Sequence, residues 1–115
     1  MWLAQDCGLV INPDQVEQQI VGNAIWGLSI TLGERMVFAG NLPETVNFDT
    51  YATLRHSQAP AIEVALIEPP GAMPTGSGEP AIGPIAPAIS NAIFAASGRR
   101  VRTLPIDHRE LFGTT

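Results

Sequence analysis

From Ile20 to Leu32 the chain carries an apolar surface nearly all the way round what must be a helix, and this limits its folds more than any other feature. The helix has a clear start in Asn12-Pro13-Asp14-Gln15: asparagine as N-cap, proline at the first helical position, an acidic residue in the first turn and a glutamine able to reach back. It is expected to run from Pro13 to about Leu32. Val16, Ile20, Ala24 and Gly27 lie on one side of it, whereas Val21, Ile25, Leu28 and Leu32 lie on others. Such a helix has to be enclosed, and 115 residues leave too little other chain to enclose it. The sequence therefore reads as part of a larger structure or as a chain with an obligate partner.

The other elements are short. Trp2-Leu3-Ala4 reads as a strand and Cys7 to Ile11 as another, interrupted at Gly8. Arg35 to Ala39, a turn at Gly40-Asn41-Leu42-Pro43 and Thr45 to Phe48 read as a hairpin. Ala61 to Ile67 is the clearest strand, ended by Pro69-Pro70-Gly71. A second helix starts at Pro84 or Pro87, buries a stripe of Ile85, Ile89 and Ile93 with Phe94 alongside, and stops at Gly98. The expected class is α+β: two main helices, about 13–32 and 84–97, with short strands and a hairpin between them.

Charge and composition remove several functions. Eleven acidic residues against six basic ones, net −5, disfavour nucleic acid, whose phosphates need a positive surface. A hydrophobic share of 45% with only 15% charged residues is apolar for so short a chain, which again points to other protein as cover. Cys7, alone, permits neither an internal disulfide nor a thiolate cage and reads as a small buried residue. His56 and His108 read as surface or packing residues, so no metal-ligand set is expected. The uncharged run from Pro80 to Gly98 is broken by Pro84, Pro87, Ser90 and Asn91, which makes it a poor membrane span. The first residues lack the basic and apolar regions of a signal peptide; the compartment, cytoplasmic or periplasm-facing, stays open.

Chemistry concentrates in Pro74-Thr75-Gly76-Ser77-Gly78-Glu79-Pro80, where Glu79 is the only charge in a long neutral segment. Two glycines let the backbone approach a ligand, and Pro80 biases Glu79 towards an extended conformation. A carboxylate so aimed into a dry cleft suits a general base; the alternative is a glutamate that merely complements the positive end of the following helix. Gln19 and Gly22, three apart, share a helix face with Asn23 beside them, where an amide and a glycine would admit a polar ligand. The alternative for Gln19 is a bond to neighbouring backbone. Asp49 reads as a turn cap rather than a catalytic acid, and Tyr51 and Arg55 as packing residues. Arg99, Arg100 and Arg102 sit at the negative end of the second helix, or alternatively reach a cofactor phosphate.

The wording of this loop, with Pro84-Ile85-Ala86-Pro87-Ala88-Ile89, Asn91-Ala92-Ile93-Phe94-Ala95-Ala96, Gly98-Arg99-Arg100-Val101-Arg102 and Leu104-Pro105, resembles the C-terminal end of molybdenum hydroxylase large subunits. These are the xanthine dehydrogenase and aldehyde oxidase enzymes, and the likeness is nearest to the isoquinoline 1-oxidoreductase beta-subunit type. Upstream it includes Asp6-Cys7-Gly8, Asn12-Pro13-Asp14, Gln19-Ile20-Val21-Gly22, Asn47-Phe48-Asp49-Thr50-Tyr51 and Leu54-Arg55. Val21 departs from the acidic residue of many relatives, and Trp26 from their second glutamine.

The resemblance implies an oxidoreductase with molybdenum on molybdopterin cytosine dinucleotide. It further implies that Gln19, Gly22, Gly76, Ser77 and Gly78 bind this cofactor and that Glu79 is the base for hydroxylating an N-heterocycle or aldehyde, with hydride transfer to molybdenum. Electrons would leave through an iron–sulfur small subunit. Residues 1–106 would be the C-terminal segment of a molybdopterin-binding domain and 107–115 a loosely ordered polar tail. The remainder of the large subunit would hold the rest of the pocket, so the chain is expected to be a fragment or separately encoded end, inactive alone. Met1 falls in what looks like a continuing strand, which favours truncation. A different expectation is a non-catalytic protein-interaction module that keeps only the scaffold.

Overall fold

A computed structural model describes residues 1–107, 109 and 111 of the chain. Strand β1 (Trp2–Asp6) leads into helix α1 (Pro13–Leu32), a hairpin of β2 (Phe38–Ala39) and β3 (Leu42–Pro43), strand β4 (Glu63–Ile67) and helix α2 (Ile85–Ser97). Single 3-10 turns occupy His56–Gln58 and Pro80–Ile82.

The start of α1 and the end of α2 arise from local chemistry. Asn12 has an extended backbone and its side chain accepts a hydrogen bond from the Gln15 amide at 3.2 Å, while Pro13 takes the first helical position. At the end of α2, Gly98 adopts φ +70° and donates its amide to the Phe94 carbonyl at 2.8 Å, closing the helix as expected. Arg100 then lies 3.7 Å above the Phe94 ring.

β1 and β4 pair in parallel, Trp2 opposite Glu63 through Asp6 opposite Ile67. Leu3, Gln5, Val64 and Leu66 are half-buried and alternate with exposed neighbours, so the two-stranded sheet has one covered face. Helix α1 packs against β4, α2 and the 3-10 turn at Pro80–Ile82. The core comprises Cys7, Ile20, Ala24, Ala81, Ile85 and Leu111, with Asn23, Ser29 and Thr31 as buried polar groups on α1. Each of these three has a partner: Asn23 binds the Gln19 and Gly78 carbonyls, Ser29 accepts from the Leu54 amide, and Thr31 donates to the Gly27 carbonyl.

Several expectations are corrected. Cys7 to Ile11 is irregular rather than a strand, because Gly8 takes φ +71° and turns the chain away from the sheet. The hairpin is shorter: a two-residue turn at Gly40-Asn41, with φ +60° at Gly40, pairs Phe38 with Pro43. The turn after it is held by Asn47 and Thr50, not Asp49. Of the isoleucine stripe on α2 only Ile85 is buried, since α1 covers just its first turns. His108 and most of the tail lie outside the described residues; Leu111 is buried, and the Ile106 amide donates to the Thr31 carbonyl at 2.8 Å.

The chain exposes 8207 Å² and has a radius of gyration of 17.1 Å. A self-contained domain of this mass would expose roughly 6,100 Å² and have a radius near 13 Å. Trp26 and Leu32 remain half exposed on α1, which is the uncovered helix surface anticipated from the sequence. Among the described residues no helix is long and apolar enough to cross a membrane.

Candidate active site

The loop from Pro74 to Glu79 is fastened to the rest of the chain at three points. The Thr75 amide donates to the Cys7 carbonyl at 2.9 Å. Gln5, inward-facing on β1, donates from Nε2 to Ser77 Oγ at 2.9 Å. Asn23, buried on α1, donates from Nδ2 to the Gly78 carbonyl at 2.8 Å. Cys7 thus acts through its backbone, and its thiol is buried. Gly8 lets the loop come this close: a side chain at residue 8 would run into the Met73 carbonyl, and the Gly8 amide is satisfied by Asp6 Oδ1 at 2.9 Å.

Between this loop, residues 7–12 and the first turns of α1 lies a cleft of ≈ 320 Å³. Gln19, Gly76, Ser77 and Gly78, from distant parts of the sequence, all line it. Gly22 is not among its lining residues; it is exposed on α1 with nothing within 4 Å of where a Cβ would stand. Gln19 and Gly22, though three apart, therefore do not meet in this cleft.

Gly76 has φ +90° and no atom lies within 4 Å of a Cβ built there or at Gly78, so the loop presents bare backbone to the cleft. The backbone amides of Gly76, Ser77 and Gly78 and the side-chain amide of Gln19 are not engaged within the described residues. Among the described residues one buried side-chain polar atom, Gln5 Oε1, has no hydrogen-bond partner. Amide donors, a hydroxyl and open glycines form a donor set suited to a polar heterocycle or phosphate groups. Among the described residues no three of His, Cys, Asp and Glu are grouped so as to hold a metal ion.

Glu79 follows Gly78 directly and is exposed. Its backbone, at φ −124° and ψ 0°, is not the extended one expected from Pro80. Its carbonyl accepts from the Ile82 amide at 3.2 Å, opening the single 3-10 turn at Pro80–Ile82. The described residues leave the carboxylate open to solvent.

Asn23 and Gln5 were not singled out as loop anchors by sequence reasoning. Asn23 carried a signal, being an amide inside an apolar helical stretch, where a buried polar group needs a partner. Gln5 carried none, since an exposed strand glutamine would read the same.

Residues 1–60 match the molybdopterin cofactor-binding domain family. The chain is 42% identical over 106 residues to the isoquinoline 1-oxidoreductase subunit beta of Brevundimonas diminuta, covering 92% of this chain and 13% of that protein. It is 39% identical over 101 residues to a protein of Gluconacetobacter polyoxogenes named membrane-bound aldehyde dehydrogenase (pyrroloquinoline-quinone), covering 88% and 13%. Quinoline 2-oxidoreductase from Pseudomonas putida 86 superposes with a TM-score of 0.71 at 28% identity, over 91% of this chain and 14% of that one. The chain thus spans about an eighth of the length of the curated relatives it matches.

Proposed function

The chain belongs to the molybdopterin cofactor-binding domain family, as found in molybdenum hydroxylase large subunits, and we propose that it forms the end of such a subunit that carries the catalytic base. The observation that supports this best is the meeting of Gln19, Gly76, Ser77 and Gly78 at one cleft, with Glu79 the next residue of the same anchored loop.

Gln19 and the free amides of residues 76–78 would hold molybdopterin in its cytosine dinucleotide form. Bound there, that cofactor supplies molybdenum chemistry: oxygen transfer to an electron-poor carbon and uptake of the electron pair released. The chain's own part is binding, orientation and proton handling. Gly76 and Gly78 bring backbone close to the cofactor, and the loop sets the Glu79 carboxylate where it can accept a proton from the reacting oxygen. A positioned base of this sort contributes on the order of 10²–10⁴ in rate.

Wider features follow from the same reading. The substrate is an N-heterocycle or an aldehyde, the walls that exclude water from Glu79 come from the rest of the large subunit, and electrons pass to an iron–sulfur small subunit. The isolated chain is inactive, because most of the pocket lies outside it.

The test is Glu79→Gln in the complete enzyme that contains this chain. Turnover should fall at least a hundredfold while molybdenum, pterin and cytidine nucleotide content stay at the parent level. Near-normal turnover would exclude Glu79 as the base, and a purified complex holding pyrroloquinoline quinone without pterin would overturn the cofactor assignment.

A further inference from the structure

We propose that Asn23 is a positioning residue for Glu79, the tie that fixes the end of the loop against helix α1. Its amide nitrogen lies 2.7 Å from the Gln19 carbonyl and 2.8 Å from the Gly78 carbonyl. Both neighbours are acceptors, so both hydrogens of that nitrogen are used and the amide can face them in one orientation only; turned over, its oxygen would oppose two carbonyls. Asn23 is buried at 5% exposure, so its rotamer is held by packing as well as by these bonds. The bond to Gly78 is the last fixed point before Glu79, whose own carbonyl is then committed to the following turn.

One helix segment therefore carries both partners of the site: Gln19 faces the cleft, and Asn23, a turn later, holds the loop. A base works only within hydrogen-bond reach of its proton, and misplacement by about 1 Å can cost on the order of a hundredfold in rate. Gly78 has no side chain to lock it from its own side. On the C-terminal side Glu79 is held by the turn at Pro80–Ile82, and on the N-terminal side the fixed bond is the one that Asn23 makes to Gly78.

A substitution at this site can separate the tie from the helix. Thr31, on the same helix, donates to the carbonyl four residues back at 2.6 Å. A serine hydroxyl in place of the Asn23 amide can make the same bond to Gln19 but ends too short for Gly78, and the two residues have similar helix propensity. Asn23→Ser thus removes only the tie.

This inference rests on Glu79 being the base, and the experiment keeps the two apart. In the complete enzyme, Asn23→Ser should lower kcat tenfold to a hundredfold, leave KM within about twofold, and leave molybdenum and pterin content unchanged. Exchange of the Thr75 and Ile82 amides, which are hydrogen-bonded on either side of the tie, should quicken about tenfold while β1 and β4 are unaffected. The double variant Asn23→Ser/Glu79→Gln should be no slower than Glu79→Gln alone, since placing an absent base has no effect. Unchanged exchange or unchanged kcat in Asn23→Ser would overturn the proposal, as would losses that multiply in the double variant. If Glu79→Gln turns over normally, the base assignment fails by itself and Asn23 loses its catalytic role with it. Should Asn23→Ser fail to accumulate, Asn23→Ala read by the same exchange measurement decides the tie.

Discussion

Gly27 of α1 faces Ile85 of α2 with no room for a side chain between them: a Cβ at residue 27 would stand 2.8 Å from the Ile85 Cβ. This contact sets how closely the two helices approach, and it places the start of α2, hence the end of the Glu79 loop, against α1. Gly27→Ala gains up to about 1 kcal/mol in helix propensity, but pushes against a branched side chain that is itself buried, at about 1–3 kcal/mol. The second effect wins. The urea midpoint should fall by the equivalent of roughly 1–2 kcal/mol, and Ile85→Val in the same background should not restore it, because the Cβ, Cγ1 and Cγ2 that meet the new methyl are all kept in valine.

Gly8 and Gly40 both have positive φ, +71° and +60°, yet they should respond differently to alanine. At Gly40 nothing lies within 4 Å of the new methyl, so only the backbone penalty of about 1–2 kcal/mol applies. At Gly8 the methyl meets the Met73 carbonyl, which is backbone and cannot step aside. Gly8→Ala should therefore cost about 3 kcal/mol in total and loosen the Pro74–Glu79 loop, seen as faster exchange of the Thr75 amide. Equal losses in the two variants would show that the Gly8–Met73 contact is not tight.

Tyr51 offers a clean titration, being the only tyrosine of the chain. Its hydroxyl donates to Glu34 Oε2 at 2.9 Å, and this bond, with some burial and the carboxylate's charge, raises the phenol above its usual range. A raised value means the folded chain holds the proton more firmly than the unfolded one. Any stabilisation from the pair is thus complete below the ordinary phenol range and is lost as pH rises through the folded value. Absorbance at the tyrosinate band should show a delayed ionisation, moved back to the usual range by Glu34→Gln.

What the sequence made legible was local. Asn12-Pro13 and Gly98 announced the ends of α1 and α2 because capping is settled within a few residues. The parallel pairing of Trp2–Asp6 with Glu63–Ile67 joins segments about sixty residues apart, and no periodicity in either specifies its partner. The hairpin was legible as a hairpin but misplaced, since strands of two residues carry almost no alternation and the turn at Gly40-Asn41 alone decides the register. At the site, the glycine loop and Gln19 were legible as residue types suited to a cofactor. Their convergence depends on Gln5, Cys7 and Asn23, whose bonds to the loop span 55 to 72 residues along the chain for the two side-chain ties. The bend at Glu79 was not legible, because the one local signal there, the proline that follows, favours an extended backbone.

The loop glycines separate cofactor binding from proton transfer. Among the described residues nothing lies within 4 Å of a Cβ built at Gly76, so Gly76→Val is opposed there chiefly by its φ of +90°, a penalty of roughly 1–3 kcal/mol. Gly76 nevertheless lines the cleft, where bare backbone suits the close approach of a cofactor and a branched side chain does not. In the complete enzyme Gly76→Val should assemble but hold less than about a tenth of the parent molybdenum and pterin, whereas Glu79→Gln keeps both and loses turnover. Full cofactor content with normal activity in Gly76→Val would move the cofactor away from this cleft. Loss of cofactor in both variants would instead mean that Glu79 binds the cofactor rather than serving it as a base.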